Sequence, residues 1–207
     1  GEKQVISQKL FGNIYTGFYY NLTGESKPRQ AFELSTGILG YKVNWKGKFG
    51  ATLIYDVTKT TNDISVTDTS GNALQIGYFS GSDYTAFLKM AQIDWQFHPK
   101  ILFSIGQLLN QQYLTFQDKF WGYRYVATTF QELYRFGNPA DFGARLSFKP
   151  IDNLLISPEI VNGEGPFRRQ DNDGSMQYAL NIEYTLFNSL ILKIYADIHP
   201  KENADTK

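Results

Sequence analysis

Connections between the alternating segments of this chain fall into two length classes, and the classes take strict turns. Trp45–Lys48, His98–Lys100, Pro150–Asn153 and Phe187–Ser189 are tight turns, whereas 22–29, 61–83, 111–140 and 163–175 are long. In an antiparallel meander every second connection lies on the same edge, so the tight turns share one rim and the long loops the other. A soluble sandwich has no reason to sort its loops this way. An outer-membrane barrel does, since its periplasmic turns are short and its outer loops long. The pattern predicts an all-β fold: a transmembrane, antiparallel, up-and-down β-barrel.

The segments between the connections fit that prediction, being about the 9–11 residues that cross a bilayer as a tilted strand. The first, near Leu10–Asn21, sets Ile14, Phe18 and Tyr20 against Asn13, Tyr15, Gly17 and Tyr19. In the second, Ala31–Asn44, Phe32, Leu34, Thr36 and Ile38 share a face opposite Glu33, Ser35 and Gly37. The third sets Phe49, Ala51, Leu53, Tyr55 and Val57 against Gly50, Thr52, Ile54, Asp56 and Thr58. Further strands follow at Tyr84–Phe97, from Ile101, at 141–149, at Leu154–Val161 and on either side of Phe187–Ser189, nine in all. Rings cluster beside the tight turns (Trp45, Phe49, Trp95, Phe97, Phe148, Tyr184, Phe187), as in an aromatic girdle at a membrane interface.

Composition narrows the function. Aromatic residues are 16% of the 207 residues and charged ones only 19%, which suits a strand-built membrane wall better than a soluble surface. Net formal charge is zero, which gives no broad attraction to nucleic acid. The chain lacks cysteine, excluding disulfides, thiolate catalysis and Cys-ligated metals. His98 and His199 are isolated and each precedes a proline; neither has the company a metal or catalytic role requires. Asp171-Asn172-Asp173-Gly174 lacks the spaced ligands of a calcium loop and reads as a turn. No phosphate loop, nucleophile elbow or triad is present, so neither an enzyme nor a cofactor is expected.

The stretch Gln111–Ala140 breaks the alternation. It is dense in rings and carries Lys119, Arg124 and Arg135 against Asp118 and Glu132. Thr129 with Glu132 forms a capping-box pattern, and Gly137 before Asn138-Pro139 a stop, so a short helix is expected within it. Its length marks a functional loop, folded into or over the mouth of the barrel. Polar-face positions give the lumen wall: Glu33, Asp56, Asp94, Glu159, Glu183 and Asp197 against Arg145 and Lys193, an acidic set. The loop cations then form a local basic constriction, or pair with Asp118, Glu132 and the wall carboxylates to pin the loop. The cost of unpaired buried charge favours pinning for two of the three.

Several motifs resemble one family. Glu33-Leu34-Ser35-Thr36-Gly37 after a Tyr-rich strand, Phe116-Gln117-Asp118-Lys119-Phe120-Trp121-Gly122-Tyr123-Arg124-Tyr125, and Val161-Asn162-Gly163-Glu164-Gly165 are similar to stretches of Gram-negative porins related to the phosphate-selective porin O and P family. The resemblance implies a sixteen-stranded barrel with the third outer loop folded into the lumen, passing small polar solutes. In phosphate-selective members arginines and lysines line the pore, and the acidic wall here departs from that. Nine strands are an odd number, so residues 1–207 are expected to be a single partial domain, the amino-terminal part of a longer barrel.

The leading expectation is a porin of the bacterial outer membrane, contacting lipid and carrying small polar or anionic solutes by passive diffusion, with a homotrimer or a larger outer-membrane complex as the expected assembly. Against it stand a structural barrel with an occluded lumen, serving a larger outer-membrane complex, and a soluble sugar-binding β-protein or hydrolase.

Overall fold

The computed structural model describes residues 6–23, 29–59, 84–111, 134, 137–166, 169–171, 174–187 and 190–200. They form nine strands: β1 (Ile6–Tyr20), β2 (Gln30–Trp45), β3 (Phe49–Lys59), β4 (Tyr84–His98), β5 (Ile101–Leu109), β6 (Ala140–Phe148), β7 (Leu154–Val161), β8 (Gln177–Leu186) and β9 (Leu190–Ile198). All lie in one sheet in chain order, each antiparallel to the next. The up-and-down meander expected from loop length is therefore present. The anticipated helix of the third long loop lies outside the described residues.

The sheet curls. Lys193 of β9 donates through its ammonium to the carbonyl of Gln111, two residues past the end of β5. Those strands are four steps apart, about 19 Å along a flat sheet at the usual strand spacing. A lysine side chain reaches that carbonyl only if the sheet bends around it, which makes this the concave face. Part of the bend sits at Gly106 and Gly143, partners across the β5–β6 ladder. A Cβ on either would strike a backbone carbonyl of the neighbouring strand, Ala91 or Ile160, so only glycine lets the strands pinch together here.

Polarity is distributed the opposite way from a soluble protein. The convex face carries the exposed apolar side chains, among them Ile14 (78% exposed), Phe32 (85%) and Ile194 (68%). Buried side chains include Asp56 (3%), Glu159 (6%) and Asn181 (1%), on the concave side.

Two bulges modify the simple alternation. The β1–β2 register shifts between Tyr15 and Thr16, which skips Ser35. Phe32 and Leu34 consequently share the convex face while Thr36 and Ile38 turn to the concave one, so the single face expected for these four residues is split. In the β3–β4 ladder, Ile54 pairs with Met90 and Tyr55 with Leu88, leaving Lys89 as the extra residue. A bulge places two successive side chains on one side, and Lys89 thereby joins the concave face.

Candidate functional site

The polar concave face is the candidate site. Its residues reach it by strand parity, because every second side chain of β3 through β9 points inward. Arg145 and Glu159 are direct cross-strand partners on β6 and β7, and the Arg145 Nε donates to Glu159 Oε2 at 2.5 Å. The same guanidinium donates to the carbonyl of Leu109 at the end of β5. Glu183 and Lys193 oppose one another on β8 and β9, with Nζ–Oε1 3.2 Å, and Asn181 Nδ2 also donates to Glu183 at 2.9 Å.

Gln111 draws these pairs together. It is 5% exposed, and its amide donates to Glu159 Oε2 at 3.4 Å and to the Ser157 carbonyl at 3.3 Å, while its own carbonyl accepts from Lys193. Instead of continuing upward past β5, the backbone at Asn110–Gln111 therefore turns onto the wall over β7 and β9. The Asn110 N–H bonds to the Pro139 carbonyl at 3.0 Å, so the departing and returning ends of the third long loop meet at its base.

A second group lies nearer β2–β4. Asp56 accepts from Lys89 Nζ at 2.7 Å and from Thr36 Oγ1 at 3.1 Å. Toward the short-turn end, Asp94 Oδ1 accepts from Ser104 Oγ and Gln92 Nε2, each at 2.6 Å. Asp56 is buried and Asp94 half-buried; carboxylates withdrawn from water must be compensated, and each has a charged or strongly polar donor.

On the return side, Asp141 is buried and its Oδ2 accepts from the backbone N–H groups of Gly163 (2.8 Å) and Gly165 (3.0 Å). Gly163 has φ +90°, and a Cβ there would run into the ring of His199, itself 3.2 Å from Ser175 Oγ. Asn138 Nδ2 donates to the Gly163 carbonyl at 3.3 Å. The Asn162-Gly163-Glu164-Gly165 motif thus acts as a clasp between the returning third loop and the end of β9.

Of the residues expected on the wall, Asp56, Asp94, Arg145, Glu159, Glu183 and Lys193 face the concave side in these groups. Glu33 is half-buried on the same side, opposite Gly17 of β1, and Asp197 is exposed there, opposite Ala179 of β8. The loop residues Asp118, Lys119, Arg124, Glu132 and Arg135 lie outside the described residues. Sequence reasoning missed Lys89, Gln111 and Asp141. Strict alternation assigns Lys89 to the apolar side with Ala91 and Ile93; a lone lysine in that series was the available sign of a bulge. The acidic wall is also more balanced than expected, since Lys89, Arg145 and Lys193 each neutralise a carboxylate.

Among the described residues no three or more His, Cys, Asp or Glu side chains are gathered as if for a metal ion. Comparison with protein-family models, curated proteins and solved structures finds no significant match.

Proposed function

We propose that this chain forms part of a β-barrel in the bacterial outer membrane and acts as a porin for small polar or anionic solutes. The observation carrying this reading is the inverted polarity: a convex face of exposed Ile, Leu, Phe and Trp, and a concave face where Asp56, Lys89 and Glu159 are buried with partners. In water that apolar surface would be a severe aggregation liability; against lipid tails it is the required surface. The row Trp45–Phe49–Trp95–Phe103, paired strand to strand beside the short turns, supports it as an interfacial belt. The inward course of Asn110–Gln111 supports a third loop that narrows the lumen.

The test is reconstitution into planar bilayers. Ion-conducting steps are the expected result, and silence at every voltage would overturn the reading. Arg124→Ala with Arg135→Ala shifts ion selectivity if these cations face the path; unchanged selectivity with lost stability assigns them to pinning.

A second reading, a structural barrel whose lumen is occluded, draws on the pairing of Lys89, Arg145 and Lys193 with wall carboxylates, which offsets the charge these cations would otherwise present to a solute. Stoichiometric co-purification with envelope partners, together with absent conductance, would select it.

A further inference from the structure

We propose that the short-turn rim carries a binding site for the headgroup of an anionic phospholipid, formed by Lys46, Lys48 and Lys100 over the aromatic surface of Trp45, Phe49 and Trp95. The inference rests on the reading of the convex face as lipid-facing.

The aromatic surface is continuous and ordered by the ladder. Trp45 pairs with Phe49, and Phe49 with Trp95. Phe49 and Trp95 are stacked with centroids 6.1 Å apart and planes 6° from parallel, and Phe97 leans on Trp95 at 5.1 Å. All four of Trp45, Phe49, Trp95 and Phe97 are exposed on the convex side. Rings of this kind prefer the depth where acyl chains meet headgroups.

The lysines sit one step beyond that depth. Lys46 and Lys48 belong to the β2–β3 turn, where the Lys48 N–H bonds to the Trp45 carbonyl at 3.0 Å and Gly47 N to Asn44 Oδ1 at 3.0 Å. The Lys48 carbonyl accepts from Gln96 N at 2.7 Å, which ties this turn to the end of β4 and keeps Lys48 beside Trp95. Lys100, in the next short turn, is held by a 2.6 Å bond from Nζ to the Pro150 carbonyl. Their stems can lie along apolar surface while the ammonium groups stay at phosphate level.

Charge decides the class of lipid. Lys9, Lys42 and Lys149 add positive potential at the same end, on the concave side, and outnumber the acids there, Asp94 and Asp152, while Glu183 is paired with Lys193. The opposite end carries Asp141, Glu164, Asp171 and Asp197, with Arg29 and Arg169. Among the described residues the short-turn end is thus the more basic of the two. A zwitterionic headgroup brings a cation that this rim repels, whereas an anionic one brings only the phosphate.

Brominated lipids quench tryptophan on contact, so Trp45 and Trp95 report the site directly once Trp121 is replaced by phenylalanine. The chain is folded into phosphatidylcholine vesicles containing a minor fraction of either brominated phosphatidylglycerol or brominated phosphatidylcholine. Expected is a local enrichment of phosphatidylglycerol of roughly fivefold per lysine engaged, declining in high salt. The variant Lys46→Asn/Lys48→Gln/Lys100→Gln loses the enrichment, with asparagine chosen because Lys46 has φ +51°. Unchanged quenching by brominated phosphatidylcholine certifies that the variant is inserted. Equal quenching by the two lipids in the parent, or enrichment kept by the variant, would overturn the headgroup site while leaving the barrel reading intact. Absence of quenching by either lipid would overturn both.

Discussion

The two flanks of the sheet treat their concave side differently. Along β6–β9, charge is buried and cross-linked: Arg145 to Glu159, Lys193 to Glu183, and Gln111 joined to both pairs. Along β1–β2, the same side shows no ion pair between described residues of the two strands, with Phe11 lying over Gly40 and Lys9 exposed opposite an exposed Lys42. Both regions are antiparallel ladders in the same sheet. What differs is cover: Gln111, just past β5, lies against the first region, and charges so covered have to be paired. Strand parity therefore decides which side chains point inward, and the overlying segment decides which of them must have partners.

Breaking the covered side has the largest expected effect. Glu159→Ala leaves the Arg145 guanidinium without its carboxylate and is expected to cost about 3 kcal/mol, read by urea unfolding of the protein in lipid vesicles. A loss below a few tenths would mean that water reaches the pair freely and that the cover is loose. Lys89→Ala strands Asp56 with Thr36 as its remaining donor and should cost about 2 kcal/mol. The double variant Asp56→Asn/Lys89→Met should recover most of that, which separates lost pairing from lost packing.

Gly163→Ala tests the clasp at the return of the loop. Positive φ and the His199 ring together set its cost at about 1–2 kcal/mol, and Asp141→Asn in the same background should add less than it does alone, because both act on one contact. At the exposed Lys9–Lys42 pair the sign turns: Lys9→Thr removes a like-charge cross-strand pair and is expected to be neutral or to stabilise by a few tenths of a kcal/mol. Equal losses for Lys9→Thr and Glu159→Ala would erase the distinction between the flanks.

Much of the architecture was legible because period-2 alternation and loop length are local signals. Every strand, its antiparallel neighbour and the inward parity of Asp56, Asp94, Arg145, Glu159, Glu183 and Lys193 could be read from residue order. The bulges could not. An extra residue at Ser35 or Lys89 reverses the side chains beyond it, yet leaves composition and spacing almost unchanged, since its cause is how two strands mesh. Gln111 was equally hidden. A glutamine at a strand end is commonplace, and its burial depends on where β7 and β9 come to lie after the sheet has curled. Asp141 stood in the right alternation, but its partners are backbone amides of Gly163 and Gly165, for which side-chain types give no direct sign. The loop motif Asn162-Gly163-Glu164-Gly165 was noticed as a resemblance; its physical reason is that clasp.

The bond from Lys193 to the Gln111 carbonyl joins positions 82 residues apart, while every ladder in the sheet joins immediate successors. Hairpins between successive strands can close one after another with little chain to gather, so the ladders accumulate early on the folding route. A tie across that separation has to wait until the intervening strands are in place. Interactions absent from the transition state slow escape from the native basin and leave the rate of entry nearly untouched. The inward turn at Gln111 is thus a brake on unfolding: it lengthens the lifetime of the assembled wall without hastening its assembly.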